Sequence, residues 1–87
     1  MPREVELVLE RHPSVAEAAV AGLPSERWGE EVTAWVVTRP GADFDSQAIV
    51  AHARGALAPY KVPKQVLRVA ALPRNQAGKV DRKKLSP

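Results

Sequence analysis

The chain has 87 residues and no cysteine; 45% of its residues are hydrophobic and 26% are charged. This length fits one small domain over residues 1–87, and the apolar fraction is too high for a disordered segment. The absence of cysteine excludes a disulfide scaffold and a thiolate metal or redox site. The longest apolar runs, such as Ala18–Ala21, have four residues, so we expect no membrane span and, without a signal peptide after Met1, a cytoplasmic location.

Charge is distributed unevenly along the chain. The net charge is +3, but residues 1–60 hold five basic and nine acidic residues (−4), whereas residues 61–87 hold eight basic residues and one acid (+7). A basic C-terminal third fits contact with an anionic ligand, and it equally fits a solvated surface.

A helix is predicted over residues 2–12, where the apolar positions recur at the helical spacing i, i+3, i+4 and i+7: Val5, Val8, Leu9 and His12. Pro13 ends this helix. We interpret His12, at the end of this apolar stripe, as a capping or packing residue and His52, on the core side of the second helix, as a packing residue. Two histidines so far apart also do not indicate a metal site.

Two strands follow the first helix. Val15–Leu23 lies between prolines and predicts a buried strand. Glu31–Arg39 predicts a second strand, in which Val32, Ala34 and Val36 alternate with Thr33, Trp35 and Val37 before Pro40-Gly41 ends it. A polar loop over Pro24–Glu30 joins them.

The second half of the chain predicts a helix, a strand and a short final helix. Asp45 or Ser46 caps the helix, which runs to about Ala58. Residues 60–64, here called the connector, are read as an extended basic segment, and residues 65–69 as the third strand. Residues 72–78 form a loop, and a final short helix begins after Asp81. The order αββαβ predicts a small α+β domain whose helices pack on a sheet of about three strands.

Two segments carry residues suited to chemistry. The sequence PRNQAGK over residues 73–79 ends in a Gly-Lys pair, and a lysine there is a mobile charge suited to a phosphate or a developing oxyanion. The connector, YKVPK, places an aromatic ring among cations, which suits stacking on a base or contact with phosphates. From the residues alone, an ordinary surface lysine is the favoured interpretation of residue 79, and a simple helix-to-strand junction is the alternative for the connector.

The order of several short motifs nevertheless resembles the C-terminal domain of the adenylate-forming (AMP-binding) enzymes, most of all acyl-CoA and aryl-CoA synthetases. The motifs cover nearly the whole chain: PREVE at 2–6, HPSVAEAAV at 12–20, GLP at 22–24, WGE at 28–30, YKVPK at 60–64, LPRN at 72–75 and GKV at 78–80.

The resemblance implies a ligase with two steps. A carboxylate attacks the α-phosphate of ATP to give an acyl-adenylate and pyrophosphate, and a thiol such as coenzyme A then attacks the adenylate. In this family the small domain is a mobile lid on the enzyme's own larger N-terminal domain, which is expected to supply the Mg²⁺ site. The domain is therefore not expected to be active alone.

The resemblance also implies roles for particular residues. Lys79 matches the lysine of the adenylation step, and Gly78 before it allows close backbone approach. Trp28, Gly29, Tyr60 and Lys64 match positions near coenzyme A, with Tyr60 against the adenine and Lys64 near a phosphate. Some relatives have arginine where this chain has Val62, so that contact is missing. No residue is assigned to a metal.

Two alternatives stay open from the sequence. One is a peptide-synthetase adenylation domain that delivers its acyl group to the pantetheine thiol of a carrier protein; against it, such domains usually have methionine where Lys61 stands. The other is a small basic nucleic-acid-binding module. It is disfavoured because the chain has no recognisable helix-turn-helix, so we expect no nucleic-acid partner.

Overall fold

A computed structural model describes residues 2–25 and 29–86, with only the backbone described at Ser25. The elements are helix α1 (Pro2–Glu10), strand β1 (Val15–Ser25), strand β2 (Gly29–Thr38), helix α2 (Ser46–Arg54) and strand β3 (Gln65–Arg68). Single 3₁₀ turns occur at Pro59–Lys61 and Arg82–Lys84. The predicted α+β class and the order αββαβ are confirmed.

The three strands form one sheet in the order β1-β2-β3. β1 and β2 pair antiparallel, from Val15 opposite Thr38 to Ser25 opposite Gly29. β3 runs parallel to β2, with Thr33 beside Gln65 and Val36 beside Arg68. A parallel neighbour requires a crossover connection, and the segment that contains α2 provides it.

Both helices cover the first face of the sheet. Leu9 of α1 and Ile49 of α2 are fully buried against Ala34 and Val36 of β2. His12 and His52 join the two helices: their rings meet edge to face at 5.3 Å, and His52 Nε2 lies 2.8 Å from the carbonyl oxygen of Val8. Their predicted packing role is therefore confirmed.

The end of the chain covers the second face of the sheet. Residues 72–86, here called the C-terminal strap, pack Leu72, Val80 and Leu85 around Trp35, which is 1% exposed. The indole N–H of Trp35 donates a 2.8 Å hydrogen bond to the carbonyl oxygen of Ser86. The alternation predicted for β2 is thus correct, since Val32, Ala34 and Val36 face the helices and Trp35 and Val37 face the strap.

Several local predictions are wrong. Helix α1 ends at Glu10, and the loop predicted over Pro24–Glu30 is shorter, because β1 extends to Ser25 and β2 begins at Gly29. Helix α2 ends at Arg54 rather than near Ala58, because the chain turns at Gly55, whose N–H bonds to the carbonyls of Ala51 and His52. The start of the connector is not extended: Pro59, whose ring sets a helical φ, begins a 3₁₀ turn through Lys61.

Asp45 caps α2 as predicted: its side-chain oxygen accepts a hydrogen bond from the N–H of Ala48 at 3.1 Å. Within the described ranges, no helix is long and apolar enough to cross a membrane.

Candidate functional site

The segment before Lys79, predicted as a loop, is a closed hairpin over residues 74–80, here called the lysine hairpin. Arg74 and Val80 pair as an antiparallel bridge. The N–H of Asn75 donates to the carbonyl of Lys79 at 2.8 Å, and the N–H of Gly78 donates to the carbonyl of Asn75 at 3.0 Å. Gly78 has φ of +81°, a conformation that costs other residues energy, so glycine allows this tight turn.

The side chain of Asn75 completes the turn. Its Oδ1 accepts from the N–H of Ala77 at 2.9 Å and from the N–H of Lys79 at 3.1 Å. Both bonds satisfy amides that the turn would otherwise leave to water. The backbone of Lys79 is therefore fixed on both sides, while its side chain is exposed.

A surface cavity of about 660 Å³ lies beside the lysine hairpin, and its charged walls are mostly neutralised. Each arginine that lines it has a carboxylate partner: Arg3 contacts Glu6 and Glu10, Arg74 contacts Glu17, and Arg82 contacts Glu6. In the described part of the chain no acidic side chain pairs with Lys79. Its ammonium is thus the cation in this wall that is available to an incoming anion.

The connector carries the most exposed large apolar side chain of the described residues. The ring of Tyr60 is 77% exposed. The next residue, Lys61, holds its Nζ 2.7 Å from Oε1 of Glu4 in α1. The hydrogen bond to Glu4 raises the pKa of Lys61, and the same bond and the lysine charge lower the pKa of Glu4.

Lys64 lines three surface cavities of different charge. It shares two of them, of about 410 and 530 Å³, with Arg54, and the described lining of both contains no acid. It shares another of about 360 Å³ with Tyr60, Glu30 and Glu31. An anionic group is better accommodated beside Arg54, and a neutral or aromatic group beside Tyr60.

The structure therefore brings together some of the predicted site residues and separates others. Tyr60 and Lys64 line one cavity, and Gly78 and Lys79 line another. Gly29 opens β2 with φ of +77°. Trp28 lies outside the described residues.

Sequence reasoning missed three charged residues at these sites. Glu6 lies three positions before the buried Leu9, so helical spacing could have shown that it faces inward. Arg82 and Arg54 gave no signal, because their partners and cavities depend on the tertiary fold.

Metal ligands were not predicted in this chain. Among the described residues, no group of three or more histidine, aspartate or glutamate side chains is arranged to hold a metal ion.

Comparison with known families settles where the domain belongs. Residues 4–79 match the model of the AMP-binding enzyme C-terminal domain. The chain belongs to this family. The resemblance inferred from the short motifs is therefore confirmed over most of the chain, including the segment that ends at Lys79.

Curated relatives with high identity are ligases. Over 84 residues the chain is 46% identical to a sulfoacetate–CoA ligase of Cupriavidus necator, covering 97% of this chain and 16% of that protein. It is 44% identical to a fatty acid–[acyl-carrier-protein] ligase of Streptomyces coeruleorubidus, again covering 97% and 16%. The chain thus spans about a sixth of the length of these relatives.

A solved structure of ATP-bound MatB from Rhodopseudomonas palustris has the same domain. The identity is 41% and the TM-score 0.90, with 94% of this chain and 16% of that chain covered. The fold described above is therefore the C-terminal domain of an AMP-forming acyl-CoA ligase family.

Proposed function

We propose that the chain is the mobile C-terminal lid of an ATP-dependent carboxylate–CoA ligase, and that Lys79 is its adenylation residue. The observation that carries the proposal is the contrast at the lysine hairpin: a fixed backbone holds an exposed ammonium with no acidic partner in the described ranges, while every neighbouring arginine is paired. The family membership supports the class of reaction.

The chemistry explains why an unpaired cation is useful. In the first step, a carboxylate oxygen bonds to the α-phosphorus of ATP and the bond to the bridging oxygen breaks, releasing pyrophosphate. Both reactants are anionic, so their approach costs Coulomb energy. An ammonium held between them offsets several kcal/mol of that cost in a site drier than water.

The second step needs a different surface. The sulfur of coenzyme A attacks the acyl carbon, the thiol loses its proton, and AMP leaves. We assign coenzyme A to the connector side, with Tyr60, Lys64, Gly29 and Trp28 as its contacts. The exposed ring of Tyr60 supports this assignment, as does the cavity that Lys64 shares with Arg54, whose described lining contains no acid. Because the lysine hairpin lines a separate cavity, a lid that rotates between steps could present each surface in turn.

The experiment that tests the proposal separates the two steps in the complete protein that contains this chain. In Lys79→Ala, adenylation measured by pyrophosphate exchange should fall roughly 10²-fold or more, as when one preorganised donor is lost. Thioester formation from pre-made acyl-adenylate and coenzyme A should stay at a much larger fraction of the normal rate. The matched control is Lys83→Ala, which removes a nearby exposed lysine and should change neither step.

Equal losses in both steps for Lys79→Ala would contradict the assignment of Lys79 to adenylation. The coenzyme A surface is tested by Tyr60→Ala and Lys64→Ala, which should weaken use of coenzyme A more than adenylation. Magnesium is expected to bind through the N-terminal domain, and the cytoplasmic location stays a prediction.

The second candidate concerns the acceptor thiol. A carrier-protein pantetheine is the alternative to free coenzyme A, and the acyl-carrier-protein ligase among the relatives favours testing it. Supplying the complete protein with either acceptor, at equal thiol concentration, decides between them.

A further inference from the structure

One carboxylate of helix α1 holds the C-terminal strap. The side chain of Glu6 is 1% exposed, and its Oε2 accepts from the N–H of Val20 in β1 at 2.9 Å. The guanidinium of Arg82 donates hydrogen bonds to the same carboxylate: Nη2 lies 2.7 Å from both oxygens, and Nε lies 3.2 Å from Oε2. Arg3 adds a contact at 3.3 Å. No buried side-chain polar atom in the described ranges lacks a partner, so this carboxylate is fully satisfied.

Arg82 is joined to Lys79 by a short and well-bonded stretch of backbone. Between them, Val80 forms the bridge that closes the lysine hairpin, and the N–H of Asp81 donates to the carbonyl of Pro73 at 2.8 Å. The side chain of Asp81 then caps the 3₁₀ turn that begins at Arg82. A displacement of Arg82 therefore moves the strand of the hairpin that carries Lys79.

We propose that Glu6 is a positioning residue for adenylation: by clamping Arg82 it fixes the lysine hairpin, and so the place of the Lys79 ammonium. This inference rests on the proposed role of Lys79. A forked guanidinium on both oxygens of a carboxylate fixes orientation as well as distance. Position matters here because a displacement of about 1 Å at a reacting group can cost up to about 10²-fold in rate.

The clamp does more than stabilise the fold. Buried ion pairs contribute little net stability over apolar replacements, but they do fix geometry. Trp35, Leu72 and Leu85 already attach the strap to the sheet through apolar contacts. The Glu6–Arg82 pair adds a directional contact two residues after Val80, where the lysine hairpin within the strap ends.

The experiment measures the two half-reactions in the complete protein for Glu6→Gln. The amide can still accept from the N–H of Val20, but it loses the charge that holds Arg82. We expect adenylation to fall roughly 10-fold, while thioester formation from pre-made acyl-adenylate stays within about twofold. The matched control is Glu10→Gln, the same change on the same helix at a carboxylate that does not contact the strap; it should leave both steps unchanged.

A second variant keeps the test valid if Glu6→Gln folds poorly. Arg82→Lys keeps a positive charge beside Glu6, and the side chain of Arg82 is 43% exposed, so the position has room for a lysine. A lysine ammonium cannot bind both carboxylate oxygens in the forked geometry of the guanidinium. Arg82→Lys should show the same selective loss of adenylation, roughly 10-fold. Each variant is assayed well below its own melting temperature, so that a loss of folded protein does not enter the rates.

Combination with Lys79→Ala distinguishes the two proposals. If Glu6 acts through Lys79, adding Glu6→Gln to Lys79→Ala causes no further loss of adenylation. If Lys79→Ala itself leaves adenylation unchanged, the proposed function fails, whatever the clamp does. If Lys79→Ala cripples adenylation while Glu6→Gln and Arg82→Lys match Glu10→Gln, or lose both half-reactions in parallel, the positioning role is overturned and the proposed function stands.

Discussion

The lysine hairpin and the connector both present a lysine at the surface, but they restrain it in opposite ways. At the hairpin the backbone of Lys79 is held by Asn75 and its ammonium has no acidic partner in the described ranges. At the connector the ammonium of Lys61 is tied to Glu4, and the exposed group is the ring of Tyr60. A charged group on a rigid backbone suits electrostatic catalysis, whereas an exposed ring suits binding by stacking.

The two regions should differ most in their contribution to the free energy of unfolding. Trp35→Ala removes a buried ring on the face that carries the hairpin, together with its bond to Ser86. We expect a loss of about 3–5 kcal/mol in the free energy of unfolding. Tyr60→Ala at the connector should change it by no more than about 0.5 kcal/mol, because the ring is exposed.

Urea unfolding of the chain measures the free energy of unfolding of both variants. If Trp35→Ala prevents folding, Trp35→Phe keeps most of the ring and should give a smaller loss. Comparable effects of Trp35→Phe and Tyr60→Ala would show that the strap is not part of the folded core.

Much of this fold could be predicted from the sequence, but the candidate site could be predicted only in part. The alternation of residues in β2 predicted the strand, but the covering of both its faces, by the helices and by the strap, is visible only in the folded structure. The role proposed for Lys79 came from resemblance to a family and not from periodicity. The Glu6–Arg82 clamp was not predictable, because it joins residues 76 positions apart and only the folded sheet brings them together.

A smaller effect is expected from the turn glycine. Gly78→Ala places an alanine at φ of +81° with no steric clash at its Cβ, so it should lower the free energy of unfolding by about 1–2 kcal/mol through backbone strain. Gly41→Ala is the matched control, since Gly41 has φ of +79° and is equally unobstructed.

Thermal unfolding should show similar losses for the two glycine variants. In the complete protein only Gly78→Ala should also slow pyrophosphate exchange, because only that turn carries Lys79, the residue proposed for adenylation. If Gly41→Ala slowed it equally, strain at the hairpin would have no specific effect.

The smallest effect is expected at the ion pair of the connector. Lys61 lowers the pKa of Glu4, so the pair stabilises the fold at neutral pH and this contribution is lost as acidification protonates Glu4. Glu4 raises the pKa of Lys61, so the contribution is also lost when strong alkali deprotonates the lysine.

The free energy of unfolding of Glu4→Gln, measured across the acidic range, should therefore depend slightly less on pH than that of the unchanged chain. Because both groups are at the surface, 1 M salt should remove most of the difference. A difference that persists in 1 M salt would point to a cause other than this ion pair.

The attachment of the strap has a consequence for the order of folding. Its bonds join distant parts of the chain: Trp35 to Ser86 across 51 positions and Glu6 to Arg82 across 76. Closing such long loops costs entropy before the contacts form. The helices and the sheet have their own apolar cluster and need no strap residue to build it. We therefore expect the sheet and helices to assemble during synthesis before the strap docks, so that the segment bearing Lys79 is the last to reach its place.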